Sequence, residues 1–192
     1  MTRIAQLDDK GAVVAWSPLG GEYADVIALG SKEKGGIGFD DYGGELQLYD
    51  FNIANPHGSH EPRLLGSIAT ATRFGSIAWT PGNAHLHADA TADADDLGLL
   101  AGGMLDGTVS LWKPSSLLRN AAASSDPSAA PLATVTPGGG NAGGITALKF
   151  NPHEKERYTL ACGGTSGEVW VMETGEAGES AVVEVYGPGG EG

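Results

Sequence analysis

Asp106, in the run MLDG at 104–107, is the polar side chain best placed for a defined task. An Asp before Gly in a tight turn accepts hydrogen bonds from groups two residues on and orders the turn. The alternatives for this carboxylate are catalysis or a partner contact, and the turn role is the expected one. His85, His87, Asp89, Asp93, Asp95 and Asp96 crowd into a second stretch, NAHLHADATADADD at 83–96. Its HLH spacing puts two imidazoles on one side of an extended strand, a first step toward a metal site. Zinc and calcium need ligands held in fixed geometry, and this Ala-rich run has no Gly-centred loop of the EF-hand kind. A solvated acidic loop is therefore expected, with no metal and no cofactor.

The glycine run GGGNAGG at 138–144 is followed by no Lys-Ser/Thr and opens no helix, which excludes a phosphate-cradling loop and leaves a flexible connection. Cys162 lies in an apolar run, where a small buried thiol is the usual outcome. No Gly-x-Ser-x-Gly nucleophile elbow is present. With no catalytic residue to name, the chain reads as a non-enzyme.

The charge balance narrows the partners. Lys plus Arg number 11 against 24 Asp plus Glu, a formal net charge of -13. Such a surface repels phosphate backbones and anionic leaflets, so nucleic acid is excluded and any membrane association is peripheral. A single cysteine forms no internal disulfide, and the start MTRIAQLDDKG lacks the apolar core of a signal peptide. The cytosol is the expected compartment.

The elements that must position these residues come from repetition. Residues 99–112 read LLAGGMLDGTVSLW and residues 159–172 read TLACGGTSGEVWVM. Both show an apolar run, an Asp-Gly or Ser-Gly turn, and a period-2 alternation, which is a β-hairpin written twice. Gly103 with Gly163, and Gly107 with Gly167, are expected to supply positive φ at the turns. A further strand-like run ending in Pro precedes each hairpin, SIAWTP at 76–81 and TALKFNP at 146–152. A third copy starts with AVVAWSP at 12–18 and continues through VIALG at 26–30 to GGELQLYD at 43–50. Additional strands are expected at RIAQL (3–7), RLLGSI (63–68), PLATVT (131–136) and AVVEVY (181–186). KPSSLLRN at 113–120 is expected to form a helical turn with Ser115 as its cap.

Three four-strand cycles without helical periodicity predict an all-β chain built as β-propeller blades. The expected blades are residues 11–69, 75–136 and 144–187, approximately, with loop insertions at 31–42, 83–96 and 120–144. Rings close with about four to eight blades, so three make an incomplete propeller. A segment of a longer protein is the expectation, and so is a tendency to aggregate through open blade edges. Trp16, Trp79 and Trp112 fall at strand ends and Trp170 inside a strand, where aromatics wedge blades together or stand at the rim as contact hot spots. The core role is the expected one.

The strand ends LYD and LWKP, the DG turn before the second, and the blade spacing resemble WD40 repeats, though no Gly-His opens a blade and Trp-Asp never occurs. In order along the chain, AWSP, GGELQLYDFN, RFGSIAWT, GLLAGGMLDGTVSLWKPSSLL and GGITALKFNPHEKERYTLACGGTSGEVWVMET resemble the N-terminal three blades of the larger subunit of the COPII vesicle outer coat, the Sec-thirty-one family. The resemblance implies a seven-bladed propeller and a scaffold acting by protein–protein contact in endoplasmic reticulum to Golgi transport, without catalysis. It also implies two partners, the small propeller subunit of the outer coat and the inner coat, held through regions outside this chain. The implied location is the cytosolic side of endoplasmic reticulum exit sites and the vesicle coat. Within the blades it gives Asp106, Gly107, Gly167 and Trp112 structural turn and strand-end roles. The alternatives are another WD40 interaction adaptor and, from a different class, a propeller hydrolase with carboxylates converging on the central channel.

Overall fold

The structure is a computed structural model that describes residues 11–31, 43–53, 62–80, 97–119, 130–140, 142–153, 158–174 and 183–186. The strand expected at 3–7 and the His/Asp-rich run at 83–96 lie outside these residues.

Within them, three antiparallel sheets follow one another along the chain, each a four-stranded meander. The first holds β1 (Ala12–Trp16), β2 (Val26–Ser31), β3 (Gly44–Asp50) and β4 (Arg63–Thr70). The second holds β5 (Phe74–Trp79), β6 (Leu100–Met104), β7 (Val109–Trp112) and β8 (Ala133–Val135), with α1 (Pro114–Arg119) between the last two. The third holds β9 (Ile145–Phe150), β10 (Tyr158–Gly164), β11 (Val169–Thr174) and β12 (Val183–Tyr186). First strands lie side by side, β1 against β5 and β5 against β9. This is the blade order of a propeller with the first strand innermost, and three blades close no ring.

Alternation along each strand decides which faces meet. In β2 and β3, Val26, Ala28, Leu46 and Leu48 point to one side and are fully buried. They pack with Phe74, Ile77, Trp79, Leu100, Met104 and Trp112 of the second sheet. The opposite side of that sheet, with Ala78, Ala101, Val109 and Leu111, packs with Ile145, Phe150, Leu160, Cys162 and Met172 of the third. β6 and β7 are consequently buried at every position, as expected of strands covered on both faces. Burying a side chain such as Leu100 or Leu111 is worth about 1.5–3 kcal/mol, so the two interfaces are where the fold gets its stability.

Two local expectations are corrected. Ser115 does not cap the short helix: α1 begins at Pro114, whose fixed φ suits the first helical position, and Ser115 lies inside it. Gly103 and Gly163 are not turn residues, since neither has positive φ and both lie within strands. At Gly103 the reason is packing, because a Cβ there would come within 2.5 Å of Ile145 Cγ2 in the next blade.

Candidate functional site

The polar residues singled out by sequence gather at the hairpin turns and at the joints between blades. Between β6 and β7, the Met104 amide donates to the Thr108 carbonyl at 2.8 Å and the Gly107 amide to the Met104 carbonyl at 3.1 Å. Asp106 Oδ1 accepts from the Thr108 amide at 3.0 Å and from Thr108 Oγ1 at 2.7 Å. Both partners belong to the same turn, so the carboxylate is spent on holding Thr108 in place. Gly107 has φ of 89°, and a Cβ on it would come within 2.8 Å of the Gly143 carbonyl oxygen of the next connection. The turn thus needs glycine twice, for its backbone and for its neighbour.

The β10–β11 turn repeats the backbone pattern. The Gly164 amide donates to the Glu168 carbonyl at 3.2 Å, the Gly167 amide donates to the Gly164 carbonyl at 3.1 Å, and Gly167 has φ of 86°. Ser166 stands where Asp106 stands in the second blade, and the turn is held instead by the connection before β9. There the Thr165 amide donates to the Gly144 carbonyl at 2.9 Å and the Ser166 amide to the Ala142 carbonyl at 3.2 Å. The glycine-rich segment expected to be a flexible connection is therefore docked at its end, with Ala142 fully buried.

Trp112 is buried, its ring 5.9 Å from that of Phe74. Among the described residues its Nε1 has no hydrogen-bond partner, so it does not pair with Asp106. Trp79 is satisfied, with Nε1 donating to the Leu97 carbonyl at 2.8 Å. Trp170 is half-buried, lies against Gly138, and its Nε1 also has no hydrogen-bond partner among the described residues. Trp16 departs from the expected core role, being 54% exposed on the open face of the first sheet.

Cys162 is buried, and burial pushes its thiol up to about 11, partly offset by a backbone hydrogen bond from Trp170. A thiol so protonated is a poor nucleophile. Among the described residues, no three His, Cys, Asp or Glu side chains group as metal ligands, and no helix is long and apolar enough to cross a membrane.

Polar chemistry is thus directed inward, to turns and to blade joints. The Leu148 amide of β9 donates to Ser76 Oγ of β5 at 3.1 Å, and the Leu105 amide donates to the Arg73 carbonyl at 2.9 Å. Sequence inspection had not marked Ser76. Its signal is a hydroxyl in the innermost strand of a blade, where the adjoining blade's first strand offers an amide.

Equivalent positions in the three sheets make the joint a repeated device. Register pairs Trp79 with Leu100 and Leu100 with Trp112 across one face of the second blade. The same positions are Trp16, Ile27 and Tyr49 in the first blade, and Phe150, Leu160 and Met172 in the third. This large-residue row is the front of each blade. The back row is Ala15–Ala28–Leu48, then Ala78–Ala101–Leu111, then Lys149–Ala161–Val171, with alanine at the second strand in every blade. Each joint sets the front of one blade against the back of the blade before it.

Three meanders with this order and these joints are consecutive blades of a β-propeller that close no ring. No protein-family model matches the chain. Among curated relatives, the protein transport protein SEC31 of Dictyostelium discoideum is 27% identical over 174 residues, and that of Aspergillus clavatus is 30% identical over 175. Each match covers 90% of this chain and 12% of the relative, so the chain spans about an eighth of the length of the relatives it matches. Among solved structures, Sqt1 of Saccharomyces cerevisiae is similar at 15% identity and a TM-score of 0.48, over 84% of this chain and 31% of that one. The chain is a run of β-propeller blades similar over 90% of its length to the SEC31 protein transport proteins.

Proposed function

We propose that this chain is a structural scaffold segment of the COPII vesicle outer coat, acting by protein–protein contact in endoplasmic reticulum to Golgi transport and catalysing no reaction. The observation that carries the reading is the relationship to proteins named for protein transport over 90% of the chain. The blade construction supports it, because a stack of sheets joined through apolar rows is a rigid body suited to presenting edges and faces.

In this reading residues 1–192 form part of a propeller. Blade 1 takes about 11–69, blade 2 about 75–136 and blade 3 about 144–187, with insertions at 31–42, 83–96 and 120–144. Asp106, Gly107 and Gly167 keep the hairpin turns in shape, and Trp112 closes the front of blade 2, so none of the four meets a partner directly. The partners are the small propeller subunit of the outer coat and the inner coat, engaged through parts of the family's proteins outside the matched segment. The site of action is the cytosolic side of endoplasmic reticulum exit sites, with membrane association only through the coat.

The test is to tag the native protein in its own cells and isolate it from membranes on which coat assembly has been arrested with a non-hydrolysable GTP analogue. Co-purification of the small outer-coat propeller and recruitment to the membranes in a GTP-dependent manner are expected. Recovery of neither would overturn the reading.

A further inference from the structure

Beside the alanine row, the back of each blade carries a second row built on glycine. Register sets Val13, Gly30 and Leu46 side by side in the first blade, Ser76, Gly103 and Val109 in the second, and Ala147, Gly163 and Val169 in the third. None of the three glycines has positive φ, so backbone conformation does not call for them. Packing does in the first two blades. A Cβ on Gly30 would come within 2.7 Å of Phe74 Cγ, and one on Gly103 within 2.5 Å of Ile145 Cγ2. Phe74 and Ile145 are the first residues of β5 and β9, and both are fully buried. Each is a knob from the innermost strand of one blade, seated in a glycine socket on the blade before it, with Leu46 or Val109 buried alongside.

The third socket is formed and unfilled. Among the described residues a Cβ on Gly163 would meet only Ala147 of its own sheet, at an ordinary 3.7 Å, and Val169 is 62% exposed where Leu46 and Val109 are buried. We propose that Gly163 and Val169 receive a fourth sheet of the same polypeptide, docked by a bulky apolar side chain, of the size of Phe or Ile, at the start of its innermost strand. Continuity with the two joints already formed selects this occupant, since in both the knob comes from the next sheet along the same chain. The relatives leave room for it, this chain covering 12% of each. A second copy docked through its first blade lacks the knob, because the residue as far before Trp16 as Phe74 is before Trp79 is Gly11. Lys149, at the place of Ala15 and Ala78, lies on the innermost strand at the rim of this face, where its stem can lie along the neighbour with the ammonium in water. The inference rests on the blade reading and not on the coat reading.

The experiment uses the native full-length protein and three single substitutions, Gly103→Ala, Gly163→Ala and Gly20→Ala, with hydrogen exchange of the β6 and β10 peptides followed by mass spectrometry. Gly103→Ala should speed exchange in β6 about tenfold or more, as overpacking of a core does. Gly163→Ala should speed exchange in β10 to a similar degree, although nothing among the described residues opposes a methyl there. Gly20→Ala, in open space, should change neither. As a second readout, a benzophenone amino acid placed at Val169 and irradiated should couple, within the same polypeptide, to an apolar side chain outside residues 1–192. A Gly163→Ala protein that exchanges like wild type while Gly103→Ala does not would overturn the proposal and leave the blades standing. A harmless Gly103→Ala would overturn the joints themselves and the proposal with them. Coupling of the Val169 probe to another copy, to a different protein or to a polar loop would also overturn it.

Discussion

Trp16 and Trp79 hold the same register position, the last residue of the first strand in successive blades, and the fold treats them oppositely. Trp79 is 9% exposed and packs into the first joint, whereas Trp16 is 54% exposed. Replacing each by Ala separates the two environments in the isolated chain. Trp79→Ala should cost about 3–5 kcal/mol, the range for emptying a large aromatic site in a core. Trp16→Ala should stay within about 1 kcal/mol for a single chain, as a surface change does. Urea unfolding at a concentration where the chain is monomeric measures both, and similar losses would refute the assignment of a covered and an uncovered front.

The buried indoles offer a second contrast. Trp79 Nε1 donates to the Leu97 carbonyl, whereas Trp112 Nε1 is buried with no hydrogen-bond partner among the described residues. Trp79→Phe removes a satisfied bond and leaves a buried carbonyl orphaned, at a cost of about 1–3 kcal/mol beyond the lost volume. Trp112→Phe removes an unsatisfied donor, so its loss of volume is partly offset. The expected order of stability is wild type, then Trp112→Phe, then Trp79→Phe. Chemical denaturation of the three proteins decides it.

Close approach of backbones gives the third prediction. α1 lies against β4, and a Cβ on Gly66 would collide with the Leu117 carbonyl oxygen. Carbonyl oxygens move only with their helix, so Gly66→Ala must push α1 off the first blade. A loss of about 1–3 kcal/mol is expected, typical of overpacking. Gly20 has open space around it and ordinary negative φ, so Gly20→Ala should be nearly neutral and serves as the control.

At the hairpin turns, Asp106→Ala should cost about 0.5–1.5 kcal/mol, the usual net worth of hydrogen bonds in a partly solvated site. Gly107→Ala should cost more than Gly167→Ala. Both positions have positive φ, yet only at Gly107 would the new methyl also meet a neighbouring carbonyl oxygen, that of Gly143. Thermal melts of the three variants test the order, and equal effects of the two glycine changes would remove the inter-blade contact from the explanation.

Cys162 supplies a pH dependence whose sign follows from its burial. Its thiol is raised from 9.0 to about 11 in the folded chain. A raised thiol means that the folded protein holds its proton while the unfolded chain has released it. Stability is therefore fully present below the unfolded value and declines as pH rises from about 9 through about 11. Cys162→Ala should flatten that alkaline decline. Folded protein at pH 8 should also react slowly with a disulfide reagent, and rapid labelling without unfolding would contradict the burial.

Much of this architecture was legible from residue order alone. The turn pairs at 106–107 and 166–167, the period-2 alternation after them and the recurrence of the cycle are local features, and local chemistry decides them: a strand alternates because side chains alternate, and a turn needs glycine where φ is positive. Three meanders of four strands therefore followed from sequence, as did the relationship to a transport protein family. Position in the stack was not legible. Trp16 and Trp79 sit in similar contexts, AWSP and AWTP, yet one is covered and the other is not, because the back of the first sheet packs on the front of the second. Gly103 looks like a turn glycine in sequence, and its reason is Ile145 from the next blade, more than forty residues away. Ser76 reads as a strand hydroxyl, and only the adjacency of β5 and β9 gives it the Leu148 amide. Short-range chemistry wrote the blades, and the contacts between sheets decided which of their faces are core and which are surface.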